Sequence, residues 1–190
     1  MTDVPREAEA KGTNFTGLLR ALEALRGKAV REQVVRATRG PCGEALRSGD
    51  VVPVGWYPAS WYVELHRATH EITHGGAPLA RELGAHTVSQ DFTTIHRMLV
   101  RVLGPRTVAS HSHRIFQLYW RGGSIALTES REDLVVARFT GWRGFQPVLW
   151  EDLAGSVEAL LTLVGARSVR SRVGAVSTDH ADADIETRFR

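Results

Sequence analysis

Apolar residues recur at helical spacing through the first two-thirds of this chain and then alternate with polar ones. The change falls at Gly122-Gly123. Before it, Phe15, Leu18, Leu19, Leu22 and Leu25 share one helical face, and Gly27 ends that helix. A second helix is predicted from Lys28 to about Arg39 on Val30, Val34 and Val35, broken by Gly40-Pro41. The stretch from Gly49 to Pro58 is too rich in turn residues for a long element. Further helices are predicted from Ala59 or Ser60 to His74, from Pro78 to about His86, from Ser89 to Leu103 and from Val108 to Tyr119. After Gly123, Ser124 to Thr128 and Leu134 to Trp142 read as strands joined by a hairpin loop, 130–133. An amphipathic helix from Val148 to Val164 follows, then strands over Ser168 to Val176 and Ile185 to Phe189.

That order predicts an α+β fold: a helical N-terminal two-thirds packed on a small antiparallel sheet with one further helix, in the sequence strand-strand-helix-strand-strand. Residues 1–12 are expected to be a flexible N-terminal lead and 13–190 a single α+β ligand-binding-like domain.

Several functional classes are disfavoured by what the sequence lacks. One cysteine, Cys42, allows no intramolecular disulfide and no cysteine-rich zinc site. The opening residues hold no apolar core of a signal peptide, and no run approaches the roughly 20 apolar residues that span a bilayer, so the expected address is cytoplasmic, without membrane. The net charge is +3, with arginines dispersed among acids, which argues against a nucleic-acid face. Arg170 and Arg172 share one strand face and read as a solvated surface.

His70-Glu71-Ile72-Thr73-His74 matches the H-E-x-x-H pattern, in which two histidines one helical turn apart bind zinc and the glutamate activates water. The residues after His74 supply no third ligand. At 100° per residue, Trp61, Leu65, Ala68 and Ile72 form a stripe about 60° wide, and His66, His70 and His74 lie about 170° away. The expectation is a surface histidine stripe without a catalytic metal. There is no Gly-x-Ser-x-Gly elbow, and Gly155-Ser156 sits within a helix. Cys42, in a turn-like setting, reads as an inert thiol. The aromatics carry more. Trp56-Tyr57, Trp61-Tyr62, Tyr119-Trp120, Trp142 and Trp150 come in pairs or at element ends, where residues line apolar pockets or anchor interfaces.

The order of short motifs resembles a known family. They are Trp56-Tyr57-Pro58, Ala80-Arg81-Glu82-Leu83-Gly84, residues 99–105, Tyr119-Trp120-Arg121-Gly122-Gly123, residues 155–160 and Gly165-Ala166-Arg167. Over residues 12–176 the chain is similar to an uncharacterised family of myxobacteria, related to the heme–nitric-oxide-binding and 4-vinyl-reductase-like ligand-binding domains. The resemblance implies a buried pocket between helices and sheet, used in sensing or regulation. In the heme branch a histidine precedes the sheet, and His96 lies in the corresponding helix. The branch's Tyr-x-Ser-x-Arg motif is absent after Tyr119, and the paired cysteines of vinyl-reductase-like members are absent too.

The expectation is therefore a non-enzymatic small-molecule-binding or regulatory and sensory domain. It carries no catalytic residues, metal or cofactor, and its ligand site draws on Trp56, Tyr57, His96, Tyr119 and Trp120. An apolar small molecule, with a protein partner or a homodimer, is the expected company. The alternatives are a zinc-dependent hydrolase using His70, Glu71 and His74, a heme-based gas sensor ligated by His96, and a protein-interaction or dimerisation domain without ligand.

Overall fold

The computed structural model describes residues 6–91, 104–105 and 107–190. A short strand, β1 (Glu9–Lys11), leads into helices α1 (Gly12–Arg26), α2 (Lys28–Ala37) and α3 (Gly40–Ser48). Strand β2 (Trp56–Pro58) precedes α4 (Ala59–Thr73) and α5 (Gly76–Asp91). Residues 107–110 are helical, and α6 (Ser112–Phe116), β3 (Trp120–Arg121), β4 (Ser124–Ser130) and β5 (Leu134–Thr140) follow. Helix α7 (Pro147–Leu163) and strands β6 (Arg170–Val176) and β7 (Ala183–Arg188) complete the chain.

The architecture is α+β, with helices before the sheet and the predicted strand-strand-helix-strand-strand order at the C-terminal end. Four antiparallel strands run in the order β4-β5-β7-β6. Their solvent face carries ion pairs between neighbouring strands: Arg138 to Asp184 at 2.9 Å and Arg172 to Glu186 at 3.7 Å. The other face packs under α7, whose close crossing with α5 is the main helix–helix contact. Gly122 and Gly123 mark the change of texture for a backbone reason. Both have positive φ, and a Cβ on Gly122 would fall 2.8 Å from Ala8 Cα, so only glycine lets the chain turn from β3 into β4 there.

A second sheet, β2-β1-β3, was not expected. Its centre is β1, inside the predicted flexible lead, where Ala8 and Ala10 are fully buried. Three-residue strands give too little alternation to be read from one sequence. Helix α3 also lies where the sequence predicts a break. Helix α2 stops at Thr38; Gly40, with positive φ, opens the next helix, and Pro41 follows in its first turn, where its missing N–H costs nothing. The helix predicted from Val108 to Tyr119 is interrupted at His111. Most of the one predicted from Ser89 to Leu103 lies outside the described residues.

Beneath the sheet, Phe116, Trp120, Phe139, Trp142, Phe145 and Trp150 form a continuous chain of ring contacts with centroids 4.6–5.9 Å apart. Two of its three indole N–H groups bond to backbone: Trp142 donates to Ser124 O at 3.0 Å and Trp150 to His180 O at 3.1 Å. Among the described residues no helix is long and apolar enough to cross a membrane.

The histidine stripe needs correction. His70 and His74 are exposed, but His66 is only 3 % exposed. Helix α4 packs against α2 and α3 on one side and against β1 and α7 on another. Its buried residues Tyr62, Leu65, His66, Ala68 and Thr69 therefore span about 160° at 100° per residue, not a narrow stripe.

Candidate functional site

Between the helices and the sheet lies a cavity of about 110 Å³. Helices α5, α6 and α7 supply much of its wall through Gly84, Thr87 and Val88, then His113, Ile115 and Phe116, then Asp152, Leu153, Ser156, Val157, Leu160 and Leu161. The sheet closes it with Ile125, Val135, Ala137, Phe139, Ile185 and Thr187. Asn14, Tyr62, Ala109, Tyr119 and Trp120 complete the described wall. Most of these groups are apolar because each comes from the inward face of its element, as the helical and alternating periods dictate.

One end of the wall is polar. Asp152 is 6 % exposed. Its Oδ2 accepts a long hydrogen bond of 3.4 Å from the Tyr62 hydroxyl and lies 3.9 Å from His66 Nε2. Its Oδ1 and the Thr87 hydroxyl are buried without a hydrogen-bond partner among the described residues, as is His66 Nε2. Burial pushes the Asp152 carboxyl up to about 7, against which the Tyr62 hydrogen bond pulls weakly, and burial alone pushes the His66 imidazole down to about 3. Geometry would allow an ion pair, but at this separation and depth desolvation dominates, and the pair is neutral between about pH 4 and 6.

The sequence-predicted site residues do not all meet. Tyr119 and Trp120 lie in the cavity wall. Trp56 and Tyr57 belong to β2 in the other sheet. The Arg121 guanidinium sits 3.8 Å above the Trp56 ring. The Tyr57 hydroxyl donates to Asp50 O at 2.9 Å and accepts from Val52 N–H at 2.8 Å, which ties down the 50–55 turn. His96 lies outside the described residues, while Thr87 and Val88 before that segment and Ala109 after it line the cavity. Asp152, His66 and Thr87 were missed. The available signal was an aspartate between Leu149 and Gly155 on one face of helix α7.

The H-E-x-x-H residues serve the end of α4. His74 takes a left-handed conformation at φ 54, and His70 Nδ1 accepts from Gly76 N–H at 3.1 Å. Glu71 pairs with Arg67 and Arg39. Among the described residues no group of three His, Cys, Asp or Glu side chains could hold a metal ion. Cys42 is buried, and its thiol is pushed up to about 12, first by burial and then by the Glu64 carboxylate. Iodoacetamide at pH 8 should therefore leave the folded protein unlabelled and label it at once in denaturant; mass spectrometry showing rapid native labelling would contradict this placement.

No family model matches the sequence, and no curated protein matches it. Solved structures do resemble it. The Fe(II) unliganded H-NOX protein from K. algicida superposes with a TM-score of 0.71 at 13% identity, covering 95% of this chain and 96% of that one. An H-NOX protein from S. oneidensis in the Fe(II) ligation state gives 0.68 at 12% identity over 95% and 96%. An oxygen-binding H-NOX domain related to soluble guanylate cyclases gives 0.66 at 13% identity, with 95% of both chains covered. Over the 95% of its length that superposes, this chain has the fold of the H-NOX domains.

Proposed function

We propose that this chain is a sensory domain that holds a small ligand in the cavity between its helices and its sheet. The observation that carries the reading is the cavity: largely apolar, walled by nearly every long element, with a few polar groups at one end. That is the usual composition of a small-molecule site. Tyr119 and Trp120 contribute to the wall.

The solved structures favour one ligand class over an unspecified one. Those of the same fold are described as Fe(II) and oxygen-binding proteins, which supports a heme-based gas sensor as the second reading, with His96 as its candidate iron ligand. The described wall does not fit that group. A cavity of about 110 Å³ is well under the roughly 300 Å³ at which sites for drug-sized ligands begin. A heme also brings two carboxylates, and no Lys or Arg stands among the described residues of the wall, which instead offers the buried acid Asp152. The chain's own residues thus favour a smaller, uncharged ligand.

The absorption spectrum of protein produced with a heme precursor separates the two. The expected result is no Soret band, together with a retained small molecule in native mass spectrometry. A strong Soret band lost in His96→Ala would establish the heme reading instead.

A further inference from the structure

We infer that the cavity selects a small apolar molecule carrying one hydroxyl, which hydrogen-bonds to Asp152 while the rest of the molecule lies against the sheet and α7. The inference deepens the ligand-binding reading above and rests on it. Its first support is an unmet hydrogen bond. Asp152 Oδ1 is buried in the cavity wall and has no partner among the described residues, and such a group is costly to leave unpaired. It sits against the bare backbone of Gly84, so near that a Cβ there would fall 2.5 Å from it. One turn along α5, the Thr87 hydroxyl is a second buried polar atom without a partner, also in the wall. These two oxygens come from different helices, and apolar groups of the sheet and α7 make up most of the rest.

The second support is size and charge. A dry cavity of about 150 Å³ in another protein takes up benzene, so about 110 Å³ suits a six-membered ring or a short alkyl chain. A cationic head would have to be desolvated beside a carboxyl whose charged form burial already disfavours, with neutral His66 behind it. A hydroxyl avoids that cost. It can donate to Asp152 Oδ1 and accept from the Thr87 hydroxyl.

The test is titration of the full chain with phenol, toluene and benzylamine, followed by calorimetry and by amide shifts of labelled protein. Phenol should bind about tenfold more tightly than toluene, the difference one hydrogen bond makes. Asp152→Leu should reduce phenol to the toluene level, whereas Asp152→Asn, which keeps an acceptor, should hold the preference to within about threefold. If Asp152→Leu does not fold, the wild-type amides decide: phenol, but not toluene, should shift Gly84 and Asp152. Equal binding of phenol and toluene overturns the inference and leaves the cavity as a ligand site. Preference for benzylamine, or a phenol preference that survives Asp152→Leu, overturns it too. Binding of none of the three overturns the ligand-binding reading along with it.

Discussion

Gly155→Ala is expected to lower the free energy of unfolding by about 3 kcal/mol or more, the upper range for overpacking a tight contact. A Cβ on Gly155 would stand 2.1 Å from Arg81 O, and one on Gly84 would stand 2.1 Å from Asp152 O. In both cases the obstacle is backbone of the facing helix, which no rotamer change relieves. The two glycines are reciprocal halves of the α5–α7 crossing, so Gly84→Ala should cost a similar amount. The double variant should cost less than the sum, because helices already forced apart by one methyl group have room for the other. Gly174→Ala is the control. There a Cβ would meet nothing nearer than Asp184 O at 3.4 Å and Asp184 Cβ at 3.5 Å, ordinary contacts, and the change should be small. Urea midpoints measure all four, and a loss below about 1 kcal/mol for Gly155→Ala would contradict the described crossing. Arg81 beside the crossing bonds Glu151 and Glu158 of α7 and donates to Ser171 O at 2.9 Å, so spreading the helices also strains the link to β6. The same displacement enlarges the cavity, since Gly84, Leu153 and Ser156 are in its wall.

What the sequence makes legible follows the length of each element. Helices α1, α4 and α7 and strands β4 to β7 repeat their period several times, and their order alone predicts the α+β class. Strands β1 and β3 have three and two residues and carry no period, although together with β2 they position Tyr119-Trp120 beside the cavity. The aromatic pairs divide for a related reason. Trp56-Tyr57 and Tyr119-Trp120 look alike in sequence, yet one pair fastens a turn and the other faces the cavity, a difference set by pairing between residues more than 40 apart. Asp152 is the sharpest case. Glu151-Asp152 looks like a solvated acidic pair, and only the crossing at Gly84 shows that the second acid is inside. His66 misleads in the same way, because a helix with neighbours on several sides buries more than its apolar stripe.

The buried pair gives the other large effect, pH dependences of opposite sign on removing one partner or the other. The Asp152 carboxyl is raised from 3.8 to about 7 in the folded protein. Between those values the folded state holds a proton that the unfolded state has lost, so this group's contribution to stability falls as pH rises. The His66 imidazole is lowered from 6.5 to about 3. Between those values the unfolded state holds the extra proton, so its contribution rises with pH. Each amounts to something on the order of 4 kcal/mol across its window, and in the wild type they oppose one another between about pH 4 and 6.5. Asp152→Asn removes the falling contribution, so its stability relative to wild type should climb from pH 4 to 7. His66→Gln removes the rising one, so its relative stability should decline from pH 3 to 6.5. Other groups, such as Glu64 with its carboxyl lowered by Arg67, titrate in all three proteins and cancel in the differences. Were the two side chains ionised as a salt bridge across their 3.9 Å separation, the carboxyl would be lowered and the imidazole raised. Both differences would then be flat between pH 4 and 6.5, changing only below and above that window. Urea midpoints at half-unit pH intervals distinguish the two patterns, and only the opposed slopes agree with a neutral pair closed off from water at the polar end of the cavity.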